Sequence, residues 1–364
     1  MPTQMIAWIL SILSFFAFWS PNAQPNNIPE TRTYVGEVPD QYGIWPTQEF
    51  TQGKMGPVVP AVLETRYALN SLTSANTDSM LILHRGKLVY ERYADGWDRD
   101  TPHFMASVTK SVTSALVGIA IGEGKIKGVD QMVLDFFPEA VQLPGWQDSK
   151  RDMTIEHLLT MTSGILTESN EEWDGFFAQG QKDSALYAFL LPQKNAPGKK
   201  YAYENVAPSI LLGIVARATK RDALAYAKEK LFGPLGMTSV EWDTAADGLP
   251  FGAFGISMTP RDMLRFGYLY LNHGRWEDRQ IIPADYVSVT PPRSKAKKAY
   301  GYMFWNFPML PFDSSFEANG AYGQYIEILP EWDMVIVRTA SQNCFDRAWE
   351  ALQGKLDEWG LKFW

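Results

Sequence analysis

The sequence predicts a mixed α+β fold: one antiparallel sheet assembled from both chain ends and flanked by helices, with a mostly helical lobe inserted between. Three observations carry this. Near the start, two β-rich runs, Met80 to His84 and Leu88 to Tyr93, surround the turn residues Arg85-Gly86-Lys87. Near the end, Gly323 to Leu329 and Met334 to Thr339 surround Pro330-Glu331-Trp332-Asp333, and the long stretch between the two pairs is dominated by helical periodicity. Strands so separated bury their apolar faces most simply in a shared sheet, leaving the helical block as a second lobe.

The elements follow in order. Met5 to Trp19 is almost wholly apolar, too short to span a bilayer comfortably, and is followed by Ser20-Pro21-Asn22-Ala23. Residues 1–23 therefore read as a secretory signal cleaved near Ala23, which makes the protein exported, periplasmic or secreted. Because no Lys or Arg precedes Arg32, a retained N-terminal anchor is the alternative, and only that would give a stable membrane partner. Residues 24–60 form an extended, polar, proline-rich segment. The sheet lobe takes 61–106 and 291–364, starting with a helix over 61–76 and ending with one over Arg347 to Trp359. The helical lobe takes 107–290. Its helices are a long one after Ser107 that stops near Gly122-Glu123-Gly124, one behind a Thr154 cap, then Ala207 to Ala218, Ala223 to Leu231, and Arg261 to Leu271 behind Thr259-Pro260.

At 364 residues the chain exceeds the usual size of a single core, and 46% hydrophobic residues supply ample material for two. A formal net charge of −8 without any Lys/Arg run argues against nucleic acid or an anionic membrane as partner. The single Cys344 excludes an internal disulfide, and the four histidines (His84, His103, His157 and His273) show no metal-ligand spacing. No metal and no other cofactor is expected.

The chemistry is read from Ser107-Val108-Thr109-Lys110. A serine hydroxyl is a weak nucleophile at neutral pH, and a lysine three positions on shares its helix face and can take its proton. Val108, Val112, Ala115, Leu116, Ile119 and Ala120 would bury that helix deeply, and burial depresses a lysine pKa. A serine at the helix start also faces free N–H groups and the positive end of the helix dipole. The second copy of the pattern, Ser294-Lys295-Ala296-Lys297, follows Pro291-Pro292-Arg293 and reads as a solvated loop in which the lysine stays charged.

Two further segments would border the same cleft. Tyr203-Glu204-Asn205 follows Pro197-Gly198 and precedes a helix; the phenol, its pKa lowered by the neighbouring ammonium, can relay protons, and the amide can hold both the lysine and a substrate carbonyl. Asn319-Gly320-Ala321-Tyr322-Gly323-Gln324 leads into a late strand, where an N–H can join that of Ser107 as an oxyanion hole.

With these residues the chain resembles the serine β-lactamase-like hydrolases: class C β-lactamases, penicillin-binding DD-peptidases, class VIII esterases and 6-aminohexanoate-dimer hydrolases. The resemblance spans roughly 78–345. Besides the segments above it rests on Leu158-Leu159-Thr160-Met161-Thr162-Ser163-Gly164, Leu211-Leu212-Gly213, Gly255 through Met263 and Tyr300-Gly301-Tyr302. It implies a β-lactamase/transpeptidase-like fold. It further implies Ser107 as acylated nucleophile, Lys110 and Tyr203 as coupled base and proton relay, Asn205 as orienting group, and the N–H groups of Ser107 and Ala321 as oxyanion hole. Where β-lactamases and peptidases of the family carry Lys/His-Thr-Gly, this chain has Ala318-Asn319-Gly320, which removes the group that binds the substrate carboxylate. A small ester or amide is therefore the favoured substrate, with β-lactamase or DD-peptidase activity, or a non-catalytic sensor of the same fold, as alternatives. Trp173, Tyr302, Trp305 and Tyr322 are candidates for lining the acyl pocket. His157 reads as structural. A Ser257-Asp262-His273 triad is disfavoured, because the turn at Ser257 lacks both the final glycine and the preceding parallel strand of a nucleophile elbow.

Overall fold

The computed structural model describes residues 43–54, 77–165, 182–290, 300–306 and 315–340. The N-terminal segment 1–23, the predicted helices over 61–76 and 347–359, Trp173, the 294–297 copy of the motif and Cys344 lie outside the described residues.

Seven strands form one sheet. With every strand numbered in chain order, they are β1 (Thr77–His84), β2 (Lys87–Tyr93), β8 (Tyr300–Gly301), β9 (Phe304–Trp305), β10 (Phe316–Gly320), β11 (Gln324–Leu329) and β12 (Met334–Ala340), while β6 (Arg275–Trp276) and β7 (Arg279–Gln280) pair as a separate hairpin. Across the sheet they run β2-β1-β12-β11-β10-β9-β8, every neighbouring pair antiparallel. The strand nearest the described C-terminal end, β12, thus lies between the first strand and β11, pairing Leu81 with Val337 on one side and Ile326 with Val337 on the other. Both hairpins are set by turn chemistry. His84 pairs with Lys87 across Arg85 and Gly86, whose φ values of 51° and 72° are the two positive angles that a two-residue hairpin turn matching the strand twist requires. At the other hairpin, Asp333 takes φ 48° before β12.

One face of this sheet packs on two helices. Helix α1 (Val108–Gly122) lies against β10 and β11, and α6 (Pro260–Leu271) lies against β1, β11 and β12. On its other side α1 meets α4 (Val206–Thr219), which also packs on α2 (Ile155–Leu159) and α3 (Ser184–Leu190). Every residue of α1 from Val108 to Ala120 is buried, as expected of a helix shared by two layers. The sequence boundary at residue 290 assigns α6 to the helical lobe; the packing corrects this, since the apolar face of α6 covers the sheet. The segment read as one helix over Ala223 to Leu231 is α5 (Ala223–Ala227) followed by a π-helical turn over Lys228–Phe232.

Local signals explain several ends. Thr259 accepts the Asp262 N–H at 3.1 Å and Pro260 opens α6. Thr154 and His157 cap α2 reciprocally, Thr154 N–H donating to His157 Nδ1 at 3.1 Å, which gives His157 the structural role read from its position. Arg261 on α6 bridges Glu91 of β2 at 2.7 Å and Glu49 at 2.5 Å, and Arg265 donates to the Pro46 carbonyl at 2.8 Å, so the segment 43–54 is tied to the sheet lobe.

Candidate active site

A small second sheet positions Ser107. Strands β3 (His103–Phe104), β4 (Glu241–Trp242) and β5 (Ile256–Met258) pair in the order β3-β5-β4, and Met105 N–H continues the pairing to the Ile256 carbonyl at 2.8 Å. The chain then turns through Ala106, a non-glycine residue at φ 46°, and enters α1 with Ser107 as N-cap. A left-handed alanine costs on the order of 1 kcal/mol, a strain that neighbouring structure must hold. Ser107 makes no capping hydrogen bond with its side chain, which leaves the hydroxyl for other partners.

Lys110 is that partner. Its side chain is 1% exposed, and Nζ donates to Ser107 Oγ at 2.9 Å, to Asn205 Oδ1 at 2.7 Å and to the Ala253 carbonyl at 3.1 Å. Burial pulls its pKa down to about 7, against an opposing pull from Glu204. An ammonium has three protons for these three acceptors. A neutral amine has two, so with Asn205 and Ala253 served its lone pair faces Ser107 Oγ. The Ala253 carbonyl escaped the sequence reading, because a backbone acceptor in a distant loop leaves no side-chain signal.

The Tyr203 loop approaches from the helical side. Ala202 N–H donates to the Met161 carbonyl at 2.9 Å and Gly198 N–H to the Thr162 carbonyl at 2.8 Å, pinning the loop to the turn after α2. Tyr203 lies with its ring centroid 4.8 Å from Lys110 Nζ, and Asn205 stands as N-cap of α4. The residue exposes 39% of its surface while its hydroxyl end is enclosed, and burial lifts the phenol to about 12 despite a hydrogen-bonding pull from the Ser107 side chain. This corrects the expected lowering: the neighbouring lysine is itself held near neutrality, so desolvation of the phenolate outweighs it. Glu204, between the two, is 5% exposed and accepts a hydrogen bond from Ser163 Oγ; burial raises its pKa to about 8.

The end of β10 closes the other side. A Cβ on Gly320 would stand 2.3 Å from the Met105 carbonyl and 3.3 Å from Ser107 N, so only glycine lets this strand lie against the turn that carries Ser107. Ala321 follows directly and is exposed, as is Tyr322 at φ 67°. Ala318 is wholly buried in the core. Trp305 stacks on Tyr203 at 5.5 Å and meets Tyr300 edge-on at 4.6 Å, forming an aromatic wall beside Lys110. Tyr302 is 4% exposed with its ring 5.0 Å from Tyr286, which places it in the core and not on that wall. Ser257 lies on β5 paired with Phe104, and Asp262 is engaged by Arg265 at 2.7 Å, so the alternative triad lacks an activated serine. A surface pocket of about 490 Å³ lined by Glu123, Lys125, Thr219, Arg221, Tyr226 and Lys230 opens at the far end of α1, roughly 20 Å from Ser107.

A buried lysine bonded to a serine at a helix start, inside a sheet covered by helices, defines a class of serine hydrolase. The chain belongs to the beta-lactamase family, whose model matches residues 71–352. It is 27% identical over 303 residues to the 6-aminohexanoate-dimer hydrolase of Paenarthrobacter ureafaciens, covering 76% of each chain. It is 23% identical over 189 residues to the Escherichia coli K12 D-alanyl-D-alanine-carboxypeptidase/endopeptidase AmpH, covering 46% of this chain and 48% of that one. Among solved structures, a family VIII carboxylesterase matches at TM-score 0.63 and 16% identity over 80% of this chain and 93% of that one. The octameric penicillin-binding protein homologue from Pyrococcus abyssi matches at 0.61 and 18% over 83% and 78%. At these identities the structural matches speak to the fold.

Proposed function

We propose that this hydrolase cleaves small, uncharged esters or amides through an acyl-enzyme on Ser107. The observation that carries the reading is the set of three acceptors around a lysine held near pKa 7. With two N–H bonds committed to Asn205 and Ala253, neutral Lys110 takes the Ser107 proton as Oγ attacks the carbonyl carbon. The oxyanion then meets the N–H groups of Ser107 and Ala321. A phenol at about 12 is protonated at neutral pH, so Tyr203 serves as a donor: it passes a proton to the departing alkoxide or amine and is refilled from Lys110. Water entering in place of the leaving group loses its proton along the same route, and the ester at Ser107 is hydrolysed.

Ala318, buried and apolar, supplies no cation for a substrate carboxylate, and the Tyr203–Trp305 wall offers aromatic surface beside the reacting serine. Both favour an uncharged acyl group over a penicillin or a cell-wall peptide. The named activity of the Paenarthrobacter relative makes a linear amide the second substrate to try. The protein is assayed against p-nitrophenyl butyrate, the 6-aminohexanoate dimer and nitrocefin. Sustained turnover of the ester or the linear amide that disappears in Ser107→Ala supports the reading. A single burst without turnover would mark a sensor, and preference for nitrocefin would mark a β-lactamase. Export through residues 1–23 is part of the proposal, tested by intact mass of the secreted protein.

A further inference from the structure

Glu204 takes no part in the steps above, yet it stands in the chain between two residues that both approach Lys110. Its carboxyl is buried, with Oε1 accepting from Ser163 and, among the described residues, no hydrogen-bond partner for Oε2. Ser163 is fixed in turn: its Oγ accepts the Ile165 N–H at 3.0 Å and its carbonyl accepts from Gln193 Nε2 at 2.8 Å. Lys110 is the charged group that acts on this carboxyl electrostatically, pulling against the effect of burial. An amide would satisfy Ser163 equally well without the cost of a buried, half-bonded acid. What a carboxyl adds at this place is a charge that can come and go.

Resting on the catalytic reading of Lys110, we propose that Glu204 is a positioning residue that sets the lysine's charge: ionised, it holds the ammonium and closes the base; neutral, it releases it. The two groups titrate in the same range, the acid raised to about 8 and the lysine lowered to about 7, so they compete for one proton near neutrality. The other groups around the pair are Ser163 from the turn after α2, and Tyr203, Tyr201 and Tyr300. Burial raises all three phenols, which stay neutral through that range. Among the described residues named here, Glu204 and Lys110 are left as the titrating groups.

The test reads the lysine itself. In protein labelled at lysine ¹³Cε, the Lys110 resonance is identified by its loss in Lys110→Met and titrated in wild type, Glu204→Gln and Ser163→Ala. Removing the acid takes away the upward pull that Glu204 exerts on the lysine, so the Lys110 midpoint should fall. Ser163→Ala takes away the carboxylate's hydrogen bond and should move the midpoint the same way by less; it carries the test should Glu204→Gln fail to fold. The acid limb of kcat/KM should follow both. A midpoint unmoved in these variants overturns the inference. A midpoint that moves in a protein whose ester hydrolysis survives Ser107→Ala keeps it, and overturns the nucleophile assignment instead.

Discussion

Lys110 shows how far a residue's chemistry was readable before any geometry. Its spacing from Ser107 and the apolar run after it predicted a buried, poorly protonated base, and the structure places Nζ 2.9 Å from the hydroxyl at 1% exposure. The Ala253 carbonyl and the buried carboxyl of Glu204 were not readable, because one is backbone and the other gains its meaning from tertiary burial. In the proposed mechanism acylation needs the neutral amine, and protonation consumes the lone pair that faces Ser107. With the lysine pulled down to about 7, acylation should therefore rise with pH through about 7 and fall roughly tenfold per pH unit below it. An ester-hydrolysis profile with no acid limb in that region contradicts the assignment. Tyr203→Phe keeps the ring beside Trp305 and removes the proposed proton donor, so kcat should fall by a factor on the order of a hundred with little change in stability. Gly320→Ala drives a methyl into the Met105 carbonyl and toward Ser107 N, so it should lower kcat and the urea midpoint together.

Elements were readable where local chemistry ends them. The β1/β2 hairpin, the β11/β12 pair and the start of α6 all announce themselves by turn or cap residues, and each lies within a few residues of its expected place. The π-helical turn after α5 carries no such mark; what distinguishes it is tertiary, with Leu231 and Phe232 both buried. Short pairings such as β3 with β5 are equally silent, yet they hold the turn that presents Ser107. The Thr259 cap offers a direct measure of the local terms: Thr259→Ala should cost about 1 kcal/mol in urea unfolding, by leaving the Asp262 N–H without its acceptor. A neutral result would show that Pro260 and packing alone start α6.

The whole molecule depends on closing a sheet from strands at both ends of the described chain, with α1 as the shared wall between sheet and helical block. The sequence predicted that closure from the placement of its β runs. It misplaced α6, whose amphipathic face says only that it covers something and not which layer. Because β12 has partners on both sides, truncation after Asp333 should leave no cooperative unfolding transition by circular dichroism. A folded truncated protein would contradict the central place of that strand. The central claim is chemical, and one measurement meets it most directly: acid-quench the enzyme during turnover of p-nitrophenyl butyrate and locate the trapped acyl group by peptide mass mapping. A butyryl group on Ser107, absent in Ser107→Ala and accumulating at pH 8 faster than at pH 5, is the predicted result. A butyryl group on another residue, or turnover that Ser107→Ala retains, would contradict the account.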